Sequence, residues 1–319
     1  MKILGVGSAL PNKIVSNDDL AQVMDTSDEW IRTRTGIENR HIAVEETTTS
    51  LSVAAAEKAI EAAGISGEDI DLIIAATVSP DYIFPTLACE LQAAVGAKHA
   101  TAFDLSAGCS GFLFALATAD GYFHTGRFKT ALIVGAETLS KMMDWGDRST
   151  CVLFGDGAGA AVLSAEGNQL LAMTQGSDGS GGMALKCKNR PVNNLYHQLG
   201  AQTYSFTEMD GSAVYKFAVR TVPVAINQVL EEAGVSADDV KLFVLHQANR
   251  RIIEAVAKRL DQPMDKFPMN LQECGNISAA SVPVLLDKIG KEGLLHAGDK
   301  IVLAGFGAGL TWSACVIEC

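Results

Sequence analysis

The chain is poor in charge, in aromatic residues and in paired cysteines. Asp, Glu, Lys and Arg make up only 19% of its 319 residues, and Phe, Trp and Tyr only 6%, against 48% hydrophobic residues. That balance buries a large core and leaves little room for disorder. Basic residues are the scarcer sign, 25 against 37 acidic, for a formal net charge of −12. A general nucleic-acid binder needs a basic surface, so that class is disfavoured. The seven cysteines (89, 109, 151, 187, 274, 315 and 319) contain no Cys-x-x-Cys pair. Neither a disulfide framework nor a zinc or other metal site is expected, and reduced thiols fit a cytoplasmic protein. No run of about 18 apolar residues occurs, so no membrane span is indicated. The segment from Met1 to Pro11 is broken by Gly and Pro and is too short for a signal peptide; it reads as a first strand ending in a turn.

Glycine is plentiful instead, with 30 residues clustered where tight connections of an α/β chain fall. An internal repeat orders the whole. The stretch from Ala59 to Ala75 aligns with the stretch from Val229 to Leu245, each reading as helix, Gly cap, short loop and buried strand. The same offset of 170 places Leu132–Gly135 on Val302–Gly305, and the turn at Cys109 on the loop from Asn276 to Ala280. Strands apolar on both faces need helices on both sides. The helix from Leu51 to Ala63 and the helix after Cys109 are themselves largely apolar, so some helices must lie between sheets. Two α/β halves, 1–169 and 170–319, each with a mixed sheet, are therefore expected to stack. Residues 165 to 214 break the repeat and read as an insertion lining a pocket.

Three residues stand at element ends, where α/β sheets present reactive groups. Cys109 follows what reads as a buried strand, Ala102-Phe-Asp-Leu-Ser-Ala, and precedes a helix apolar around most of its circumference. Helical N–H groups pointing at the sulfur favour a thiolate. Taken alone, Cys109 reads equally well as buried packing. His246 ends the apolar run Leu242-Phe-Val-Leu, and Asn276 lies in the small-residue loop Glu273-Cys-Gly-Asn-Ile-Ser-Ala-Ala-Ser281. A lone His or a Gly-Asn pair is bland. A Cys, a His and an Asn together make a coherent nucleophile with polar donors.

The motifs Ala-Gly-Cys-Ser-Gly-Phe, His-Gln-Ala-Asn-Arg-Arg, Gly-Asn-Ile-Ser-Ala-Ala-Ser and Gly-Phe-Gly-Ala-Gly-Leu-Thr-Trp resemble those of the β-ketoacyl-acyl-carrier-protein synthase III family. So do Thr26-Ser-Asp-Glu-Trp-Ile-Arg-Thr-Arg-Thr-Gly-Ile37 and Phe154-Gly-Asp-Gly-Ala-Gly-Ala160. The resemblance runs from Gly5 to Ile317. It implies a thiolase-like fold, an α/β class with layers α-β-α-β-α. It also implies an initiating condensing enzyme of bacterial-type fatty acid synthesis. An acyl-coenzyme A primer, with acetyl as the expected group, would load Cys109, and malonyl on an acyl carrier protein would lose carbon dioxide and attack the thioester. No permanently bound cofactor and a homodimer are implied.

Residue by residue, the resemblance puts Cys109, His246 and Asn276 in the catalytic set, and the backbone N–H groups of Cys109 and Ala308 in an oxyanion hole. Ala308 stands where the family usually has Gly. Trp30 and Arg148 would sandwich the adenine of coenzyme A, Arg34 would meet phosphate, Asn249 would meet the pantetheine arm, and Phe84 would close the acyl pocket of the partner subunit. The carrier protein would meet Lys216, Gln247, Ala248, Asn249, Arg250, Arg251, Lys258 and Arg259. The charge logic supports such a patch, since an acidic chain needs a local basic face to recruit an acidic carrier. Arg251, Lys258 and Arg259 share one helix face at i, i+7 and i+8, and Lys216 and Arg220 join from another helix.

Other readings compete. Papain-like hydrolases also run Cys, His, Asn, but Gly-Cys-Ser-Gly lacks their aromatic after the Cys. Gly155-Asp-Gly-Ala-Gly159 is a poor match to the dinucleotide fingerprint. A thiolase would need a second catalytic Cys, and Cys315 lies in a strand-like run. Chalcone-type, polyketide-type and alkylquinolone-type synthases also use Cys, His and Asn and remain open.

Overall fold

The computed structural model describes residues 1–197 and 205–319. The chain begins with β1 (Lys2–Ala9). A short antiparallel pair, β2 (Lys13–Ser16) and β3 (Asn39–Ile42), then brackets α1 (Asn17–Ala21) and α2 (Asp28–Thr35). Next come α3 (Thr48–Ala63), β4 (Leu72–Ala76), α4 (Leu87–Ala94), β5 (Thr101–Leu105), α5 (Gly111–Phe123), β6 (Thr130–Thr138) and β7 (Asp156–Ser164). β8 (Leu170–Ser177) opens the second sheet and is followed by the small pair β9 (Leu185–Lys186) and β10 (Glu208–Met209). The remainder is α6 (Gly211–Ala233), β11 (Val240–Leu245), α7 (Arg250–Arg259), α8 (Leu271–Cys274), α9 (Ser281–Lys291), β12 (Lys300–Gly307) and β13 (Thr311–Glu318).

Two mixed sheets result, ordered β1-β7-β6-β4-β5 and β11-β12-β13-β8. β4 is parallel to both β5 and β6, β11 is parallel to β12, and the other pairs of these two sheets are antiparallel. Alternation along β4 shows why the sheets stack. Leu72, Ile74 and Ala76 face a central core shared with Leu113 and Leu116 of α5, Leu285 of α9 and Leu303 of β12. Ile73 and Ala75 face the opposite side, against Leu51, Ala55 and Ala59 of α3 and Leu87 and Leu91 of α4. On the far side of the second sheet, Phe243 and Val302 pack against Phe217, Ile226 and Val229 of α6 and Val256 of α7. The order is α-β-α-β-α, the thiolase-like arrangement, with α5 and α9 in the middle layer. Of the two apolar helices expected to compete for that layer, α5 occupies it and α3 covers the outer face. Capping explains where α3 stops and starts: Thr47 and Ser50 form a capping box, and Gly64 takes a left-handed φ of 67°.

The offset of 170 holds in three dimensions. The 3-10 turn Gly108–Ser110 before α5 matches the 3-10 turn Ser278–Ala280 before α9, and α3-β4 matches α6-β11. Two expectations need correction. Residues 165–214 are not all insertion, because β8 completes the second sheet against β13; only the stretch after β8 departs from the repeat. The strand before Cys109 is not fully buried, since β5 is the edge of its sheet and partly exposed along its length. The second turn lies directly against Gly135 of β6, where a Cβ would lie 2.3 Å from the Ala279 carbonyl oxygen. Only a glycine allows that approach.

Candidate active site

Cys109 sits in the turn Gly108–Ser110, between β5 and α5, and is buried. Gly108 adopts φ +53°, and a Cβ on it would lie 2.9 Å from the Ala308 nitrogen. A Cβ on Gly307 would lie 2.6 Å from the Cys109 nitrogen and 2.8 Å from its Cβ. The end of β12 thus presses its backbone onto Cys109. Ala308 is not among the positive-φ residues, so its backbone is one any residue adopts, and Ala in place of Gly is no obstacle.

His246 follows the end of β11, and its own N–H donates to the Ala304 carbonyl at 2.7 Å. It is only 1% exposed, and its ring packs edge-on against Phe306 with centroids 5.1 Å apart. Among the described residues neither ring nitrogen has a hydrogen-bond partner. Burial pushes the imidazole down to about 3, so it is neutral and its N–H is uncommitted. Asn276 is pinned by its backbone, which donates to the Leu153 carbonyl at 2.8 Å and accepts from the Gly155 N–H at 3.0 Å. The Phe154-to-Ala160 motif therefore braces the Asn276 loop. Within it, Asp156 is taken up by the Ser140 hydroxyl and the Ser140 and Ala43 N–H groups. Asn276 Oδ1 accepts from the Ser278 N–H at 2.9 Å, so the amide N–H₂ is left for the pocket.

These three side chains line one cavity of about 460 Å³. Phe306 and Gly307 share its wall with them, Leu185, Met209, Val214 and Tyr215 form another, and Trp30, Arg34, Asn249 and Arg251 line it from α2 and the start of α7. A broader depression of about 680 Å³, lined in part by Asp238, Lys241, Lys266 and Asp299, holds none of the three. The thiol is not a ready thiolate. Burial pushes it up to about 12, against a lowering contribution from the Ser278 hydroxyl, and the nearby Glu137 carboxyl raises it further. The helix N-terminus that the sequence suggested does not outweigh this desolvation in the empty pocket.

The remaining expected residues divide. Arg34 lies over the Trp30 ring at 4.7 Å and Arg148 at 5.3 Å, so the three cluster, with Arg148 also held by the Asp25 carboxylate at 3.1 Å and the Asp25 carbonyl. Asn249 caps α7 through the Arg251 N–H and donates to the Arg34 carbonyl, tying α7 to α2. Ala248 lines the cavity. Lys216, Arg220, Arg250, Lys258 and Arg259 are exposed, with Arg250 paired to Glu254 at 2.9 Å. Arg251 lines the cavity and donates to the Thr33 carbonyl at 2.9 Å, so it belongs to the pocket as much as to the basic face. Gln247 is a correction. It is 1% exposed and bonds Asn270, the Leu271 N–H and the Ser281 hydroxyl, so it is unreachable by a docking protein. Phe84 is 82% exposed and lies outside its own chain's cavity.

Two buried groups escaped the sequence reading. Arg40 is wholly buried and donates to the carbonyls of Val15 and Val152 and to Asn17 Oδ1. Glu137 is the penultimate residue of β6 and lies beside Ser278. The signal for Glu137 was its position, a carboxylate closing an otherwise apolar strand.

Comparison with known proteins places the chain in a family. Residues 103–179 match the model of 3-oxoacyl-[acyl-carrier-protein (ACP)] synthase III, and residues 230–319 match that of its C-terminal part. The β-ketoacyl-[acyl-carrier-protein] synthase III of Clostridium acetobutylicum is 48% identical over 319 residues, covering 100% of this chain and 98% of that protein. Among solved structures, the 3-oxoacyl-[acyl-carrier-protein] synthase III of Aquifex aeolicus VF5 superposes with a TM-score of 0.93 at 44% identity, covering 100% and 99%. The priming β-ketosynthase of the R1128 polyketide pathway gives 0.92 at 36%, covering 99% and 95%.

Proposed function

We propose the following reaction from the premise that this chain belongs to the β-ketoacyl-[acyl-carrier-protein] synthase III family and is an acyltransferase-type condensing enzyme. It is the initiating condensing enzyme of fatty acid synthesis. It joins an acyl-coenzyme A primer, with acetyl the first choice, to malonyl-acyl carrier protein, giving 3-ketoacyl-acyl carrier protein, coenzyme A and carbon dioxide. Cys109 sulfur attacks the primer thioester and coenzyme A leaves as the thiol. Malonyl-acyl carrier protein then loses carbon dioxide, and the resulting carbanion attacks the acyl-Cys109 thioester, freeing the Cys109 sulfur.

What carries this reading is the meeting in one cavity of Cys109, a neutral His246 and the Asn276 amide N–H₂. Two neutral donors stabilise the enolate formed on decarboxylation without quenching it. The backbone N–H groups of Cys109 and Ala308 serve the tetrahedral step on the acyl-Cys. A hydrolase is served less well, because an imidazole held near 3 is a poor base for water. Trp30, Arg34, Arg148 and Asn249 hold coenzyme A, and no cofactor beyond this substrate is invoked. The Trp30–Arg148 contact must open to admit an adenine between them.

The protein is read as a cytoplasmic homodimer of two fused halves, 1–169 and 170–319. Phe84, exposed beside Tyr82 and Ile83, would close the partner subunit's acyl pocket. No helix among the described residues is long and apolar enough to cross a membrane. Lys216, Lys258 and Arg259 would receive the acidic carrier, with Arg250 and Arg251 at the edge nearer the pocket.

A primer screen with malonyl-acyl carrier protein, reading carbon dioxide release and the acyl mass on the Cys109 peptide, tests the reading. Acetyl or a short acyl group should load Cys109, and Cys109→Ser should abolish loading. Acylation that maps to another cysteine overturns it. The likeness to a priming β-ketosynthase of a polyketide pathway supports a second reading, a polyketide-type condensing enzyme.

A further inference from the structure

Glu137 is wholly buried at the end of β6, and no step above uses it. Its Oε2 accepts from the Ser79 hydroxyl at 2.5 Å, the Val78 N–H at 3.2 Å and the Thr77 hydroxyl at 3.3 Å. Its Oε1 lies 3.1 Å from the Ser278 hydroxyl. All four donors are neutral, so among the described residues this buried carboxyl has no counter-ion. Such an arrangement is costly for the ionised form and is seldom kept for packing alone. Burial pushes it up to about 7.

Ser278 joins this carboxyl to the nucleophile. Its turn packs against the turn that carries Cys109, and its hydroxyl acts to lower the thiol against the raising effect of burial. Ser278 takes φ +47°, one of only two positive-φ non-glycine residues among those described. Asn276 Oδ1 holds its N–H in that conformation. Backbone strain of this kind marks residues held for a purpose.

The chemistry needs such a link. Thioester exchange requires the buried Cys109 thiol to lose a proton. His246 is a weak base, Asn276 takes no proton, and a helix N-terminus stabilises charge without accepting one. Among the described groups around Glu137, Thr77, Val78 and Ser79 of the loop after β4 are neutral, as is Ser278. Thr138, next on β6, turns to Thr48. Asp156 of the neighbouring β7 is bound by Ser140 and Ala43, and Lys141 by Asp81. Cys109 is the titratable group that Glu137 faces.

We propose that Glu137 is the proton acceptor for the Cys109 thiol, acting through the Ser278 hydroxyl. The Cys109 S–H proton passes to Ser278 Oγ as the Ser278 hydroxyl proton passes to Glu137 Oε1. The sulfur pair then forms the bond to the acyl carbon, and the bond from that carbon to the coenzyme A sulfur breaks. The departing thiolate recovers the proton along the same path, so one thiol is exchanged for another. Glu137 touches no substrate and works by positioning a proton. Above neutrality the resting pair holds one proton, on the thiol, with the carboxylate free to accept it.

The proposal rests on Cys109 being the acyl acceptor, and its test separates the two. Alkylation of Cys109 by iodoacetamide, followed by peptide mass, needs no substrate. In the parent enzyme its rate should rise through an inflection near neutral pH and then level. Glu137→Gln keeps the shape and removes the acceptor. Ser278→Gly removes the hydroxyl and accepts the positive φ, and it carries the test alone should Glu137→Gln not fold. Both should lose the inflection, alkylate on the order of 10²-fold more slowly near neutrality, and climb only at alkaline pH. An inflection that persists in either folded variant, or alkylation at or above the parent rate, overturns the relay. Acyl-coenzyme A loading of the parent is read on the same samples. A parent that shows the inflection yet never acylates overturns the acyl-acceptor reading instead.

Discussion

The Asn276 side chain is oriented by Ser278, whose N–H donates to Asn276 Oδ1 at 2.9 Å and so commits the amide nitrogen to the cavity. That single bond decides which end of a near-symmetric amide faces the cavity. It also makes the chemistry of the position testable by exchanging a donor for an acceptor.

Asn276→Asp should retain the bond to Ser278 and present an oxygen where an N–H₂ stood. Carbon dioxide release from malonyl-acyl carrier protein should fall on the order of 10²- to 10³-fold, while self-acylation of Cys109 stays measurable. His246→Ala should divide the two half-reactions the same way. Parent-rate decarboxylation in both variants would end the assignment of these donors to the enolate.

Gly307→Ala should inactivate the enzyme without unfolding it. The added Cβ would sit 2.6 Å from the Cys109 nitrogen, so the turn carrying Cys109 must move. Overpacking of this sort costs about 1–3 kcal/mol of stability. Loss of acyl loading in a variant with a near-parent melting curve is the expected pair of results; unchanged loading kinetics would show that the turn tolerates displacement.

Glu137 makes stability fall with rising pH over a defined window. Its carboxyl is raised from an ordinary value of 4.5 to about 7 in the folded chain. Below about 4.5 both states hold the proton. Between the two values the unfolded chain ionises first, so the folded state loses relative stability, by about 3 kcal/mol once pH exceeds about 7. Glu137→Gln cannot ionise. Its stability relative to the parent should therefore climb across that window and level above it, as read by denaturant midpoints at a series of pH values. A pH-independent difference would mean that the carboxylate is solvated when charged.

The basic face should act on the carrier alone only where it stands clear of the pocket. Lys258 and Arg259 are exposed on α7, whereas Arg251 lines the cavity and bonds the Thr33 carbonyl. Lys258→Glu should raise KM for malonyl-acyl carrier protein by about two- to fivefold, the scale of an exposed pair, and leave self-acylation intact. Arg251→Glu should disturb both half-reactions. Added salt should weaken carrier use selectively, because exposed charges are screened within about 8–10 Å. Equal effects of Lys258→Glu on both half-reactions would remove this face from the docking surface.

Much of this protein was determined by its sequence, because the relevant physics is local. Apolar runs bounded by glycines and caps specify the strands and helices, and an offset of 170 repeats them, down to the paired turns Gly108–Ser110 and Ser278–Ala280. Cys109, His246 and Asn276 were legible because reactive groups gather where such elements end. Only the tertiary structure decided their states. Packing of β11, β12 and the loop at Asn276 around the cavity strips water from Cys109 and His246, pushing the thiol up and the imidazole down. Gln247, adjacent to His246 and expected to meet the carrier protein, is turned inward to satisfy Asn270 and the backbone of α8. Glu137 and Ser278 lie 141 residues apart in the chain and 3.1 Å apart in space. Desolvation and proton sharing are set by neighbours that folding brings together, and no local pattern of residues carries that information.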